Sequence, residues 1–224
     1  MTQPDVSERT IGVLGGTGSQ GRGLAYRWAV GGLSVLLGSR DAGRADLAAA
    51  ALRDRSGSDR VHGADNAGCA ATSDLVLVAV PFDGHAALLE SLREPLAGKI
   101  VIDCVNPLGF DRFGPYPQRV PEGSAAQQAA ALLLDSRVTA AFHHVSAVLL
   151  DDPEVCSVDT DVLVLGDDRE ATDLVRALAD VIPGVRGIYG GRLRNAGQVE
   201  ALTANLIAIN KRYRAHAGVR ITDV

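Results

Sequence analysis

The sequence predicts a doubly wound α/β fold, a mostly parallel sheet covered by helices on both faces, followed by a smaller α/β lobe. Three observations lead there. Short β-branched runs alternate with alanine-rich stretches from residue 10 onward. Runs such as VLVAV (76–80) and KIVIDCV (99–105) lack polar alternation, as expected of strands buried on both faces. The chain has 224 residues, 46% hydrophobic and 22% charged, enough for one substantial core and a small second unit.

Residues 1–9 are polar, include Pro4, and read as a loose tail. TIGVLGG (10–16) is the first strand, GLAYRWAV (23–30) lies in the first helix, and LSVLLGS (33–39) is the next strand. The Ala/Arg segment 41–55 reads as a helix and DLVLVAV (74–80) as a strand. Residues 106–123 hold four of the nine prolines and read as a long loop over the sheet, a candidate lid. Ser124 with Gln127 forms a capping box that opens a helix through 125–135. Strands follow at 137–142 and 159–166. The helix after them buries Leu174, Val175, Leu178, Val181 and Ile182 before Pro183-Gly184 stops it. The last helix has Asn195 as its cap and an apolar stripe of Val199, Leu202, Leu206, Ile209 and Tyr213. That stripe fits packing on its own lobe or a seam between two subunits. The division expected is a tail (1–9), a nucleotide-binding domain (10–150) and a small C-terminal domain (151–224).

Composition narrows the function. With 22 basic and 27 acidic residues the net charge is −5, which argues against nucleic acid or an anionic membrane as partner. Cys69, Cys104 and Cys156 show neither zinc-site spacing nor an even count for disulfides, which suits a reducing compartment. No apolar run reaches the roughly 18 residues of a spanning helix, and MTQPDVSERT is unlike a secretory signal, so a cytoplasmic location is expected. No hydrolase triad or metal motif emerges. Neighbouring His143 and His144 on an extended backbone would point to opposite faces, so no metal site is expected there.

The chemistry is carried by Gly16-Thr17-Gly18-Ser19-Gln20-Gly21, a G-x-G-x-x-G between a strand and a helix. Gly16 is expected to allow the tight turn, Gly18 the approach of a pyrophosphate, and Gly21 close packing of helix on strand; the first free amides of the helix attract phosphate. This is the dinucleotide fingerprint of a Rossmann domain. At the end of the second strand, where an NAD site usually offers a carboxylate, stand Ser39 and Arg40, with Arg44 a turn later. A hydroxyl and two guanidiniums suit a 2'-phosphate, so NADP(H) is the expected coenzyme. Val80, Pro81 and Phe82 follow a strand at the ligand-binding edge of the sheet. They suit either an apolar wall for nicotinamide or a plain strand exit. Residues 186–224 carry seven basic and two acidic residues, and Arg192 and Arg194 suggest attraction for a polyanionic second substrate.

Together LGGTGSQGRGLA, GSRDAGRA, AVPFDGHA, VNPLGF, AAFHHVSA and GRLRNAGQVEALTANLIAIN make the chain resemble, over residues 10–224, the NADPH-dependent oxidoreductases of the deazaflavin coenzyme F420. The resemblance implies a Rossmann domain with a small C-terminal lobe and the two coenzymes meeting between them; a homodimer is expected. It implies that Thr17, Gly18, Ser19 and Gln20 hold the NADP phosphates and that Ser39, Arg40 and Arg44 receive the 2'-phosphate. Val80 and Phe82 would border the nicotinamide. Asn106, Pro107, His143, Val145 and Ala147 would shape the place of the deazaflavin ring, with His143 as a positioning neighbour. A Rossmann core does not by itself choose its second substrate. The alternatives are an NADP-dependent reductase of an imine, keto acid or metal chelate, and a non-catalytic NADP(H) sensor.

Overall fold

The protein is described by a computed structural model over residues 4–224. The first half comprises β1 (Thr10–Leu14), α1 (Ser19–Val30), β2 (Ser34–Ser39), α2 (Ala42–Ser56), β3 (Val61–Asp65), α3 (Asn66–Thr72), β4 (Leu75–Val78), α4 (His85–Ser91), α5 (Arg93–Leu96) and β5 (Ile100–Asp103). The second half comprises β6 (Leu108–Asp111), β7 (Gly114–Pro117), α6 (Ala125–Leu132), β8 (Arg137–Ala140), α7 (Ala147–Asp151), β9 (Thr160–Gly166), α8 (Arg169–Asp180), β10 (Val185–Gly191) and α9 (Ala196–Tyr213).

Eight strands form one sheet in the order β10-β9-β8-β5-β4-β1-β2-β3. The six strands from β8 to β3 are parallel, which sends every strand-to-helix loop among them to the same edge. The doubly wound reading of the sequence holds, because β1, β4 and β5 are aliphatic runs buried nearly throughout. One face packs Leu24 and Trp28 of α1, Leu52 of α2 and Leu174 and Leu178 of α8; the other packs Cys69, Leu89, Leu96, Ala126, Ala129 and Val199. Residues 151–224 continue the same sheet, for β9 runs antiparallel to β8 and β10 parallel to β9.

Several local expectations change. Within 4–9, Val6 is buried in the core, so that part of the tail is anchored; residues 1–3 lie outside the described chain. The loop 106–123 contains the β6–β7 hairpin, which turns through Gly114 at φ +119°. Asn195 makes no side-chain cap, since a short 3-10 turn at Leu193–Asn195 feeds directly into α9. The stripe on α9 divides: Val199 and Leu206 are buried, Ile209 and Tyr213 exposed. Helix α7 has five residues, too few to leave a periodicity, and β10, VRGIYGG, holds three glycines that mask it as a strand.

Two buried polar devices hold the layers. Arg27 of α1, only 6% exposed, donates Nε to the Leu150 carbonyl (2.8 Å), Nη1 to that of Val155 (2.6 Å), and Nη2 to those of Leu149 (2.5 Å) and Asp152 (2.9 Å). One guanidinium thus satisfies the end of α7 and the connection beyond it. On the opposite face, Glu200 of α9 accepts the Ala125 amide on Oε2 (2.9 Å) and the Ala126 amide on Oε1 (3.1 Å), while Ser124 accepts the Gln127 amide (3.0 Å). The first turn of α6 is therefore capped partly from within, as its sequence indicates, and partly by a distant helix. Burial and the nearby Asp103 carboxylate push Glu200 up to about 7, against the pull of the two amides.

Arg27→Met strands four carbonyls in an apolar setting, and urea denaturation is expected to show a loss on the order of 3 kcal/mol. For Glu200, the folded value lies above the unfolded one. Its contribution is therefore fully present below about 4.5 and lost as pH rises through about 7. The stability of wild type minus that of Glu200→Gln, taken from urea melts, should fall by roughly 3 kcal/mol between pH 4 and pH 8.

Candidate active site

The dinucleotide fingerprint lies where β1 meets α1. Its left-handed residue is Gly15 (φ +83°), one position before the Gly16 expected to make the turn. A Cβ on Gly15 would lie 2.4 Å from the Ala79 carbonyl oxygen, so the loop presses against the end of β4. Gly16 is instead kept small by Leu37, 2.9 Å from where its Cβ would be, and Gly21 by the Gly15 carbonyl at 2.7 Å. At Gly18 the nearest neighbour of such a Cβ is the Gly15 carbonyl at 3.3 Å, with no side chain against it. No side chain caps α1 at Gly18, so the amides of its first turn are left for an anion. Thr17 and Ser19 are exposed there and Gln20 is half-buried. The cradle fits a pyrophosphate.

Ser39 ends β2, and Arg40 and Arg44 follow it, both exposed. Asp41, the one carboxylate beside them in sequence, is committed elsewhere: its Oδ1 accepts the Arg44 backbone amide (2.8 Å) and caps α2. Among the described residues neither guanidinium forms an ion pair. The two are aimed at solvent beside the loop, as a 2'-phosphate requires.

Val80 and Phe82 leave β4 half-buried, Pro81 ending the strand. The Phe82 ring lies 6.0 Å from the His85 ring, whose Nε2 meets Asp103 Oδ2 at 2.6 Å and whose Nδ1 donates to Gln128 Oε1 at 3.0 Å. Burial opposes a charge on His85, but Asp103 and Gln128 outweigh it and raise the imidazole. Asp103 Oδ1 also accepts the Val105 amide (3.0 Å), fixing the chain as it leaves β5 toward Asn106 and Pro107. Phe82 thus rests on a buried polar base, while Val80 packs on the apolar core. Cys104 and Cys69 are buried; Cys69 is pushed up to about 12 and Cys104 is raised too, so neither is a thiolate nucleophile.

The segment after β8 completes the site. Ala141 to Val145 are buried and Ala147 opens α7, half-buried. Phe142 has a left-handed backbone (φ +65°), its ring edge-on to Trp28 at 5.5 Å. Its carbonyl accepts Gln20 Nε2 (3.1 Å), which ties the phosphate loop to this segment. The His143 carbonyl accepts Asn106 Nδ2 (2.8 Å) and the Thr203 hydroxyl (3.1 Å). Both His143 ring nitrogens are buried without a partner, and burial pushes its pKa down to about 4, so the ring is neutral at neutral pH. His144 turns the other way, its Nε2 bonded to the Asp161 carbonyl (2.7 Å). The Asp161 carboxylate is held in turn by Arg186 and Arg220.

Sequence reasoning found the loops but missed Gly15, His85, Asp103, Glu200 and Thr203. A glutamate in the otherwise uncharged run NAGQVEALTAN was the available signal for the last two. Arg192 does not join the site. It donates to the Asp167 carbonyl (3.0 Å), beyond Gly166, which pairs with Thr139 toward the start of β8 and so lies at the opposite edge of the sheet. A cavity of about 390 Å³ opens there, lined by Asp167, Arg169, Tyr189 and Arg192 among others and by none of the expected site residues. No helix among the described residues is long and apolar enough to cross a membrane.

Residues 10–107 match the family described as NADP oxidoreductase coenzyme F420-dependent. The chain is 42% identical to the F420-dependent NADP reductase of Methanothermobacter thermautotrophicus, over 96% of this chain and 95% of that one. It is 36% identical to the F420-dependent NADP reductase of Methanocaldococcus jannaschii, over 96% and 98%. Among solved structures, a candidate F420-dependent NADP reductase from Arthrobacter sp. FB24 superposes with TM-score 0.78 at 29% identity, over 96% of this chain and 99% of that one. The glycine-rich cradle, the two unpaired arginines after β2 and these full-length similarities agree, and the chain belongs to the F420-dependent NADP reductase family.

Proposed function

We propose that the protein catalyses reversible, direct hydride transfer between NADP(H) and the deazaflavin coenzyme F420. The observation that carries the reading is Gln20, which donates from the phosphate loop to the Phe142 carbonyl and so joins the NADP side to the His143 wall. When bound, the two coenzymes would supply hydride exchange between the nicotinamide C4 and the deazaflavin C5, with one proton taken up or released at the deazaflavin ring. The chain supplies proximity and orientation. The first-turn amides of α1 with Thr17, Gly18, Ser19 and Gln20 hold the phosphates, and Ser39, Arg40 and Arg44 hold the 2'-phosphate. Val80 and Phe82 face the nicotinamide. Asn106, Pro107, Val145 and Ala147 shape the deazaflavin place, with the neutral His143 ring buried behind them as a positioning neighbour. His143 has no proton to spare at neutral pH, so it positions rather than acts as an acid.

The same reading makes 151–224 the unit that backs the deazaflavin wall and 10–150 the NADP-binding domain. It places the enzyme in the cytoplasm as a homodimer acting on small redox coenzymes and not on nucleic acid. The net charge of −5 and the exposed Ile209 and Tyr213 on α9 support this.

The test is to mix the protein with NADPH and oxidised F420 and follow deazaflavin absorbance, with NADH and a flavin as controls. Bleaching with NADPH and little with NADH is expected; NADP binding without bleaching would refute the assignment. Arg40→Ala should raise KM for NADPH about tenfold, one charge-assisted hydrogen bond being lost, with KM for NADH little changed. An equal rise for both would sink the 2'-phosphate role. His143→Ala should weaken deazaflavin binding or slow transfer by about tenfold, measured in single turnovers, leaving clear residual activity. Complete loss in a folded variant would mean that His143 does chemistry.

A further inference from the structure

The loops that carry the site follow from sequence motifs, but what holds the segment after β8 does not. Phe142 is fully buried in the left-handed region, a backbone state that a bulky L residue adopts at a cost on the order of 1 kcal/mol or more. Such a state persists only where neighbours over-determine it. Three elements supply anchors: α1 through Gln20 and Trp28, the chain after β5 through Asn106, and β9 through the Asp161 carbonyl that holds His144.

The fourth comes from α9. The Thr203 hydroxyl lies 3.1 Å from the His143 carbonyl oxygen and 3.3 Å from Asn106 Oδ1, while Asn106 Nδ2 donates to the same carbonyl at 2.8 Å. The three groups close a triangle. Its one hydroxyl proton is shared between two acceptors, the His143 carbonyl and Asn106 Oδ1, and donation to Oδ1 fixes which way the Asn106 amide faces, with Nδ2 toward the carbonyl. Glu200 stands three residues earlier on the same side of α9, clamped to the first amides of α6. A helix from the far end of the chain thus grips both the connection that follows β5 and the segment that follows β8.

We infer that Thr203 is a positioning residue for the transfer, its hydroxyl holding the Asn106 amide and the His143 carbonyl in one arrangement so that the buried segment 143–145 gives the deazaflavin place a fixed backing. The inference rests on the function proposed above. Thr203 acts through Asn106 and His143, so its removal disturbs the deazaflavin side and leaves the phosphate loop as it was.

Thr203→Val keeps the shape and removes the hydroxyl; Thr203→Ser keeps the hydroxyl. In the ligand-free protein, amide hydrogen exchange over 142–146 should quicken about fivefold or more in Thr203→Val and stay near wild type in Thr203→Ser. NADP⁺ affinity, followed by tryptophan fluorescence, should stay within about twofold in both, as expected for a residue without a phosphate contact. With F420 and NADPH, Thr203→Val should lose about tenfold in kcat/KM for F420, and Thr203→Ser should recover most of it. Unchanged exchange in Thr203→Val, equal impairment of Thr203→Ser, or a matching loss of NADP⁺ affinity would each overturn the inference. A wild type that leaves F420 unbleached would overturn the functional reading by itself. The exchange contrast between the two variants would then still uphold or overturn the anchoring.

Discussion

The turn at Phe142 is the constraint on which the rest of the arrangement depends. Up to β8 every strand of the run is parallel, and the connections at the active edge lead into helices, the one after β5 by way of the β6–β7 hairpin. After Ala140 the chain stays at that edge, passes through α7, and returns antiparallel as β9. A left-handed Phe142, locked edge-on against Trp28, makes the first bend of that return. The bend turns the backbone carbonyls of Phe142 and His143 toward Gln20, Asn106 and Thr203, which come from three separate parts of the sequence. Local strain is offset by contacts that exist only when all three parts are folded.

Beneath this turn the protein buries charge rather than excluding it. His85, Asp103 and Glu200 lie close together under the exits of β4 and β5, each held by hydrogen bonds. Such a cluster is expensive in a low-dielectric interior unless its members satisfy one another. Here an imidazole faces one carboxylate and two helix amides face the other, so the penalty is shared with groups that would otherwise be orphaned. The outcome is a rigid base for Phe82, Val105 and Asn106, and an almost wholly buried carboxylate pushed up to about 7.

Arginine does most of the cationic work, supplying twenty of the 22 basic residues. The planar fork suits both uses to which it is put. Arg27 reads four carbonyls, Arg22 and Arg55 converge on Asp151, and Arg186 and Arg220 share the buried Asp161 and strap the C-terminal segment to β9. Those side chains are structural. Arg40 and Arg44 stand apart because their neighbouring carboxylate caps a helix, which leaves their charge available to a ligand.

The sequence by itself determined what local physics encodes: the aliphatic central strands, the glycine-rich turn before α1, the Ser124 cap, and Ser39 and Arg40 where an NAD site usually offers a carboxylate. Each is written in neighbouring residues, where periodicity, turn chemistry and charge act within a few positions. Even there the left-handed glycine fell one residue away from expectation, because which glycine must bend depends on how closely β4 approaches. Only the tertiary structure decided that β9 and β10 extend the same sheet, that Arg192 faces the wrong edge, and that the apolar stripe of α9 is half-buried and half-exposed. It alone brought Glu200 and Thr203 to the start of α6 and the carbonyl of His143. A hydrogen bond between residues 60 or 75 positions apart leaves no pattern along the chain, for its partners are selected by the packing of whole layers and not by their sequence neighbours.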